Sequence, residues 1–368
     1  MQFDLGFLGG GQLARMSIQA AQRMGLRCLS IDPDAASPAS QVAPAAVGNL
    51  NDPDALASVV ESCARITLEN EFIPATAIER AFAKVGRNPE ALMPGLETLA
   101  LIQDKLLQRE ALEKAGLAGP EAVAIEDDGT RAIATIGFPM MLKSRKGGYD
   151  GKGARYVATP QDFEDLRSLW QDGGWMAEQY VNFSRELAVM VYRTPQMVGC
   201  FPTMETIQTN HVCDLVYPAA TDASEVAVAA VEAVQGWGLY GVELFETSGG
   251  KILVNEIAPR PHNTGHYTLD WGGPSQFEQH VRVVLGLPPA PMDGLPTCMA
   301  NLLGIAQPGD WRNGLLRALA SDPGIRVHWY GKAESRPGRK MGHLNATGGD
   351  IVARARAARE AFYSGWAE

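Results

Sequence analysis

KSRKGGYDGKG, residues 143 to 153, gathers cations, glycines and a reactive polar pair into one short loop. Lys143, Lys146 and Lys152 supply ammonium charges, while Gly147, Gly148, Gly151 and Gly153 let the backbone fold closely and turn N–H groups toward an anion. Polyphosphate is the natural guest of such a loop. FPMML (138–142) before it reads as a strand and ARYV (154–157) after it as the return strand, so the loop caps a hairpin. It is not the strand-to-helix turn of a P-loop, whose GxxxxGK[ST] spacing is absent. On its own the segment is equally compatible with a solvated basic hairpin tip.

The chain around this loop has 368 residues, enough for roughly two or three domains. A hydrophobic content of 46% with 20% charged residues is that of an ordinary soluble enzyme. No apolar run reaches the roughly 18 residues of a membrane span, and MQFDLGFLGGGQLARM lacks a basic n-region or cleavage pattern, which leads us to expect a cytoplasmic protein. Cys28, Cys63, Cys200, Cys213 and Cys298 are scattered, odd in number and without CxxC spacing, so neither a disulfide framework nor a zinc site is indicated. The net charge of −10 argues against a nucleic-acid binder, and local basic clusters must then serve small anions.

Taken from the start, DLGFL (4–8) reads as a strand, GGGQ (9–12) as a turn and LARMSIQAAQRMG (13–25) as a helix, followed by the strand RCLSI (27–31) and Asp32. This is a Rossmann-like βα unit, and the acid about twenty residues beyond the glycines suggests a dinucleotide-dependent oxidoreductase. GFLGGGQL fits GxGxxG poorly, however, because Leu13 or Ala14 stands where the third glycine belongs. What survives is a glycine turn before a helix N-terminus that could hold one phosphate. Asp52 with Pro53 marks a helix start, and RITLENE (65–71) reads as a strand ending in Glu69 and Glu71, where ligands of α/β sheets bind. Helices are expected near 75–86 and over 97–116, with a domain boundary near Gly95. Beyond 120 come AVAI (122–125), the hairpin, a helix over 162–170, the strand WMAEQYV (175–181) and alternating segments from 184 to 219 that read as antiparallel strands. A helix near 223–237 follows, and the part after about 290 ends in a polar helix, 349–362.

GLYGVELFET (238–247) and KILVNEIAPR (251–260) read as a strand pair around a Ser-Gly-Gly turn, carrying Glu243, Asn255 and Glu256. Carboxylates within apolar strands need a matching cation. Two carboxylates and an amide are hard oxygen donors that suit Mg²⁺, which completes its octahedron with phosphate oxygens and water. The plainer alternative is a salt bridge to Arg260 or Lys251. Near the C-terminus Lys332, Arg336, Arg339 and Lys340 crowd around a Pro-Gly turn that would converge several cations on one anion.

GFLGGGQLARM (6–16), the 143–153 loop, NEIAPRPHNTGHYT (255–268) and HWYGKAESRPGRKMGHLN (328–345) together resemble the N5-carboxyaminoimidazole ribonucleotide synthetase family of ATP-grasp carboxylate–amine ligases, the ATPase-subunit type of phosphoribosylaminoimidazole carboxylase. The resemblance runs through essentially the whole chain in order. One departure is TLENEFIP (67–74), where the family reads closer to T-x-E-F-E-N-V-P, so that Asn70 and Phe72 stand exchanged. The resemblance implies an α/β and α+β protein with an ATP-grasp fold: a Rossmann-like domain over 1–96, an ATP-grasp domain with its lid over 97–290 and a small C-terminal domain over 291–368.

It also implies roles. Lys105 and Lys143 would neutralise ATP phosphates, with Gly148, Tyr149, Asp150, Gly151, Lys152, Gly153 and Ala154 closing over them. Glu178, Gln179, Tyr180 and Val181 would line the adenine, Glu186 would hold the ribose, and His211 would be another nucleotide contact. Glu243, Glu256 and Asn255 would hold Mg²⁺, leaving Asn255 and Glu256 also beside the nucleotide. Arg260, His262 and Lys340 would bind bicarbonate and carboxyphosphate, with Tyr149 and Asp150 completing that pocket and Asp150 accepting the amine proton. Gly10, Gly11, Gln12, Leu13, Glu69, Lys332, Arg336 and Arg339 would bind 5-aminoimidazole ribonucleotide. The implied reaction is its ATP- and bicarbonate-dependent carboxylation in purine biosynthesis, by a homodimer without nucleic-acid or membrane partners. Another ATP-grasp ligase, such as a formate-dependent glycinamide ribonucleotide transformylase, is the alternative, ahead of the oxidoreductase.

Overall fold

The computed structural model describes residues 2–148, 153–307 and 309–366. None of its helices is long and apolar enough to cross a membrane. Three sheets organise it. The first is parallel, with strand order Ala45–Val47, Cys28–Asp32, Phe3–Leu8, Cys63–Leu68, Leu92–Met93. Leu5, Phe7, Leu8, Ile66 and Leu68 are buried along its central strands, as expected for a sheet covered on both faces. The chain order reverses between Phe3–Leu8 and Cys63–Leu68, so the glycine turn 9–11 and Glu69 leave adjacent strand ends at the topological switch point.

The hairpin reading of the basic loop is borne out. Met140–Ser144 pairs antiparallel with Ala154–Val157 in a four-stranded sheet that also holds Trp175–Gln179 and Ala122–Ala124. Phe163 and Trp170 fill its apolar side. They come from two short helices, Pro160–Asp165 and Arg167–Trp170, where the sequence suggested one over 162–170.

The third sheet is antiparallel and nine-stranded. Ile252–Ala258, Gly238–Thr247, Phe183–Arg193, Met204–Thr209 and Val212–Pro218 follow one another across it, and Thr297–Leu303, Lys340–Thr347 and Arg326–Trp329 continue it without a break. The join is Leu215 opposite Ala300 and Val216 opposite Met299. The C-terminal segment therefore extends the wall of the central sheet, and its basic loop, between the last two strands, lines the same cavity as Lys105, Lys143 and Glu256. The terminal helix runs from Ile351 to Trp366, longer than the 349–362 expected, because Phe362 and Trp366 are buried against the far end of the sheet.

The single helix expected over 97–116 is two, Leu96–Gln103 and Lys105–Lys114. Asp104 between them is extended (φ −109, ψ 107), and its carboxylate accepts the Leu106 N–H. Asp at an N-cap competes with helix continuation, which composition alone does not reveal.

Candidate active site

A cavity of about 1000 Å³ opens where the three sheets meet. A carboxylate pair lines it on the strands Gly238–Thr247 and Ile252–Ala258, in which Glu243 lies directly opposite Glu256. The register slips by one residue next to that pair: Leu244 opposes Val254, leaving Asn255 as an unpaired bulge residue. A bulge re-aims side chains that strand alternation would send to opposite faces, and Asn255 and Glu256, though consecutive, both line the cavity. Burial together with the charges of Glu256 and Glu186 pushes the Glu243 carboxyl up to about 7. Burial also raises Glu256, but the Lys105 ammonium bonded to it outweighs that and holds it below the usual carboxylate range. Its partner is thus Lys105, neither Arg260 nor Lys251. The set fits a hard divalent cation: two mutually repelling carboxylates and an amide face one space. Among the described residues no cluster of three or more His, Cys, Asp or Glu offers an alternative metal site.

Lys143, at the hairpin base, donates to Glu178, and Arg109 donates to the other oxygen of the same carboxylate at 2.9 Å. Glu178 is only 2% exposed, and although burial raises it, these two cations hold its carboxyl below the ordinary range. Its side chain therefore serves as counter-ion to Lys143. Gln179, Tyr180 and Val181 line a separate recess of about 280 Å³ with Gly119, Asn182 and Lys251. Glu186 lines the main cavity with Gln208 and His211. Burial raises its carboxyl, partly offset by Gln208 and His211. Asn210 and His211 form the two-residue turn between Met204–Thr209 and Val212–Pro218, both with positive φ (52 and 63), the backbone of a type I′ hairpin. Gly148, Gly153 and Ala154 line the cavity mouth, while Tyr149, Asp150, Gly151 and Lys152 lie outside the described residues.

Arg260 is forked onto Glu71, with Nη2 to Oε1 at 2.9 Å and Nε to Oε2, and its Nη1 donates to the Pro261 carbonyl. His262 stands 3.6 Å from Glu243, and its Nδ1 is 2.9 Å from Thr264 Oγ1. Burial, then Arg260 and Lys340, keep the His262 pKa well below its usual value, so the ring offers hydrogen bonds rather than charge. The ring reaches this place because position 241 is glycine: a Cβ there would lie 2.5 Å from His262 Cβ.

In the N-terminal unit, Gly11, Gln12, Leu13 and Glu69 line the cavity, and two backbone donors of the turn are engaged. The Gly10 N–H donates to Asp32 Oδ2 at 2.8 Å and the Leu13 N–H to Glu69 Oε1 at 3.3 Å. Asp32 also accepts the Asp34 N–H. Carboxylates thus occupy the helix N-terminus where a dinucleotide pyrophosphate would sit, which removes the basis of the oxidoreductase reading. Asn70 hydrogen-bonds Glu69 through Nδ2 and accepts the Phe72 N–H, so the exchanged pair still shapes the cavity wall.

On the opposite side, the Arg339 N–H donates to Arg336 O at 2.9 Å across Pro337 and Gly338 (φ 76), the tight turn that the sequence suggested. Gly304 pins this turn with backbone bonds to Gly338 and Arg339. Lys332, Arg336, Arg339 and Lys340 all line the cavity. Lys332 Nζ donates to the Lys340 carbonyl at 2.7 Å.

Sequence reasoning did not single out Gln208, Arg109 or the pairing of Glu71 with Arg260. Gln208 carries a readable signal, sitting in an alternating strand near acid Glu186; Arg109 carries none, because its polar helix hides that it is 7% exposed.

The chain is similar to known proteins along most of its length. The ribonucleotide synthetase preATP-grasp domain profile matches residues 2–103, the ATP-grasp domain profile 110–277 and the phosphoribosylaminoimidazole carboxylase C-terminal domain profile 297–357. A Mycobacterium tuberculosis protein named N5-carboxyaminoimidazole ribonucleotide synthase is 39% identical over 363 residues, covering 94% of this chain and 83% of that protein. The chain belongs to the N5-carboxyaminoimidazole ribonucleotide synthase family. The three profiles follow one another along the chain. A Schizosaccharomyces pombe phosphoribosylaminoimidazole carboxylase is 39% identical over 360 residues; the match covers 92% of this chain but 64% of the yeast protein, so the chain spans just under two thirds of that relative. The Aspergillus clavatus N5-carboxyaminoimidazole synthase, solved with ADP and 5-aminoimidazole ribonucleotide, superposes with a TM-score of 0.87 at 30% identity and covers 99% of both chains.

Proposed function

We propose that this chain carboxylates the exocyclic amine of 5-aminoimidazole ribonucleotide with ATP and bicarbonate, a step of purine biosynthesis. The observation that carries the reading is one cavity in which Lys105 and Lys143, the Glu243–Glu256 pair and the Arg336–Lys340 turn face one another. That places phosphate-neutralising cations, hard oxygen donors and a second anion clamp within reach of a single reaction space.

In the first step a bicarbonate oxygen attacks the γ-phosphorus of ATP and the bond to the β-phosphate oxygen breaks, giving carboxyphosphate and ADP. Lys105 and Lys143 stabilise the charge that spreads over the transferring group. Glu243, Glu256 and Asn255 would hold Mg²⁺, which neutralises phosphate charge when bound. Arg260, held flat by Glu71, and neutral His262 orient the bicarbonate, and Lys340 supplies charge beside it. In the second step the amine nitrogen attacks the carboxyl carbon, the carbon–oxygen bond to phosphate breaks, and phosphate leaves as the amine loses a proton, for which Asp150 is the candidate acceptor. Carboxyphosphate is short-lived in water, so closure of the 148–154 segment over it would have a mechanistic purpose. The ribonucleotide 5′-phosphate meets Lys332, Arg336 and Arg339, and Glu69 with Gln12 offers hydrogen bonds on the opposite wall. Gly10, whose N–H is held by Asp32, contributes close packing, and Gly11 borders the ribonucleotide side of the cavity. Glu186 and His211 bind the nucleoside, with Gln179–Val181 alongside.

The reading includes a cytoplasmic homodimer acting on small molecules alone. The five free thiols accord with a reducing compartment; the dimer rests on the family resemblance, and light scattering tests it. The chemistry is tested by phosphate release with ATP, bicarbonate and 5-aminoimidazole ribonucleotide, each omitted in turn. Release requiring all three is expected; release that runs instead on formate or an amino acid would overturn the assignment.

A further inference from the structure

The basic loop contains a cation, Arg145, that the reaction above does not use. Arg145 turns away from the cavity and binds Asp104, with Nε to Oδ1 at 2.9 Å and Nη2 to Oδ2 at 2.7 Å. Asp104 is 4% exposed. The backbones are tied as well: the Lys105 N–H donates to the Arg145 carbonyl at 2.8 Å, and the Arg145 N–H to the Gly174 carbonyl at 2.9 Å. The residue so anchored is the neighbour of Lys105, whose ammonium reaches Glu256 inside the cavity.

The anchor works against local preference. LETLALIQDKLLQREALEK, residues 96–114, is composed mostly of good helix formers, the β-branched Thr98 and Ile102 lie inside the first helix without breaking it, and no Gly or Pro interrupts the run. The chain nevertheless breaks at Asp104, and Lys105 becomes the first residue of a new helix. Three acceptor demands meet on the Asp104 carboxylate, from Leu106 N–H and from two guanidinium nitrogens. A planar guanidinium satisfies both oxygens at once in a fixed plane, which a lysine ammonium cannot do. Were the break to heal, the residues after it would rotate by about 100° per residue added to the helix and carry Lys105 away from the strand pair.

We propose that Arg145 is a positioning residue that acts through Asp104: it holds the helix break that aims the Lys105 ammonium at the transferring phosphate. Arg145 touches neither substrate nor metal ligand. The inference rests on the proposed ATP-dependent reaction for its consequence but not for its geometry.

The test is a double-mutant cycle between Arg145→Lys and Lys105→Met, read in kcat, in KM for each substrate and in the calorimetric Kd for ATP. Arg145→Lys keeps the charge beside buried Asp104 while losing the fork, so it guards against simple unfolding, and thermal melting confirms a folded variant. Displacing a charged group by about an ångström from its working position lowers rates roughly ten- to a hundredfold. We expect kcat to fall in that range with KM for 5-aminoimidazole ribonucleotide unchanged, and Arg145→Lys to add less than about twofold to the loss already caused by Lys105→Met. Asp104→Asn should reproduce the Arg145→Lys pattern. Unchanged kinetics in Arg145→Lys, or the same fold-loss in the Lys105→Met background, would overturn the proposal. If the wild-type protein does not carboxylate the ribonucleotide, the functional reading fails on its own, and the same cycle on ATP affinity still decides the positioning role: coupling between the two sites supports it and additivity refutes it.

Discussion

In the proposed function Glu256 is the residue on which metal and nucleotide chemistry would converge. It is the carboxylate whose charge survives burial, because Lys105 lies on it, whereas Glu243 opposite is pushed toward its neutral form. Glu256→Gln keeps the volume and a hydrogen-bonding group but removes the hard anionic donor. ATP turnover should drop by roughly two or more orders of magnitude, as expected when an electrostatic contact to a transferring phosphoryl group is lost. Circular dichroism and melting should stay near wild type, since Lys105 keeps an amide oxygen as acceptor. Near-normal Mg²⁺-dependent turnover would show that the pair is structural. At this scale much was legible in the sequence: Glu243, Asn255 and Glu256 stood out as polar residues in apolar strands. What the residues themselves did not reveal is the one-residue bulge that brings Asn255 and Glu256 to one face, since it is a property of the pairing between strands. The counter-ions were equally hidden, because Lys105–Glu256 and Arg260–Glu71 join positions 151 and 189 residues apart.

At the scale of elements, the strand Gly238–Thr247 and the RPGRK turn each support a prediction. Gly241 sits against the His262 ring, and Gly241→Ala would place a methyl 2.5 Å from His262 Cβ. Backbone and ring must then separate, and kcat should fall about tenfold or more through misplaced bicarbonate, with ATP affinity little changed. Equal loss in kcat and in ATP affinity would mean that the whole strand had shifted. In the turn, Arg339→Ala should mainly raise KM for 5-aminoimidazole ribonucleotide, because a phosphate remote from the amine contributes uniform binding. Lys340→Ala should instead lower kcat. An Arg339 variant with unchanged ribonucleotide KM, measured with one substrate varied at a time, would remove the turn from the phosphate clamp. The turn itself was readable from Pro337 and Gly338, and the hairpin from its flanking apolar runs. The break at Asp104 was not, because what makes it is a guanidinium arriving from residue 145.

On the scale of the whole molecule, histidines buried uncharged beside the first and third sheets fix how the protein responds to acid. The helix Gln276–Val284 packs Val281 and Val284 against Leu5 and Phe7 of the N-terminal unit, and on the same helix His280 meets Thr67 Oγ1 at 3.0 Å. Burial pushes the His280 pKa down to about 3, and the same cause holds His262, His266 and His343 well below their usual value. The sign follows from proton counting. Below about pH 6.5 the unfolded chain takes up a proton at each such histidine that the folded chain refuses, so stability is full above that pH and is lost as pH falls toward 3. For His280 alone the slope approaches about 1.4 kcal/mol per pH unit once pH is well below 6.5. His280→Asn, which cannot titrate, should begin less stable at pH 7.5 because it breaks a packed contact, yet lose less per unit of acid. Urea unfolding at pH 7.5, 6.5, 5.5 and 4.5 gives both curves, and their difference should shrink steadily below pH 6.5. A difference that stays constant across that range would mean that His280 is protonated in the folded protein and that the interface accommodates its charge.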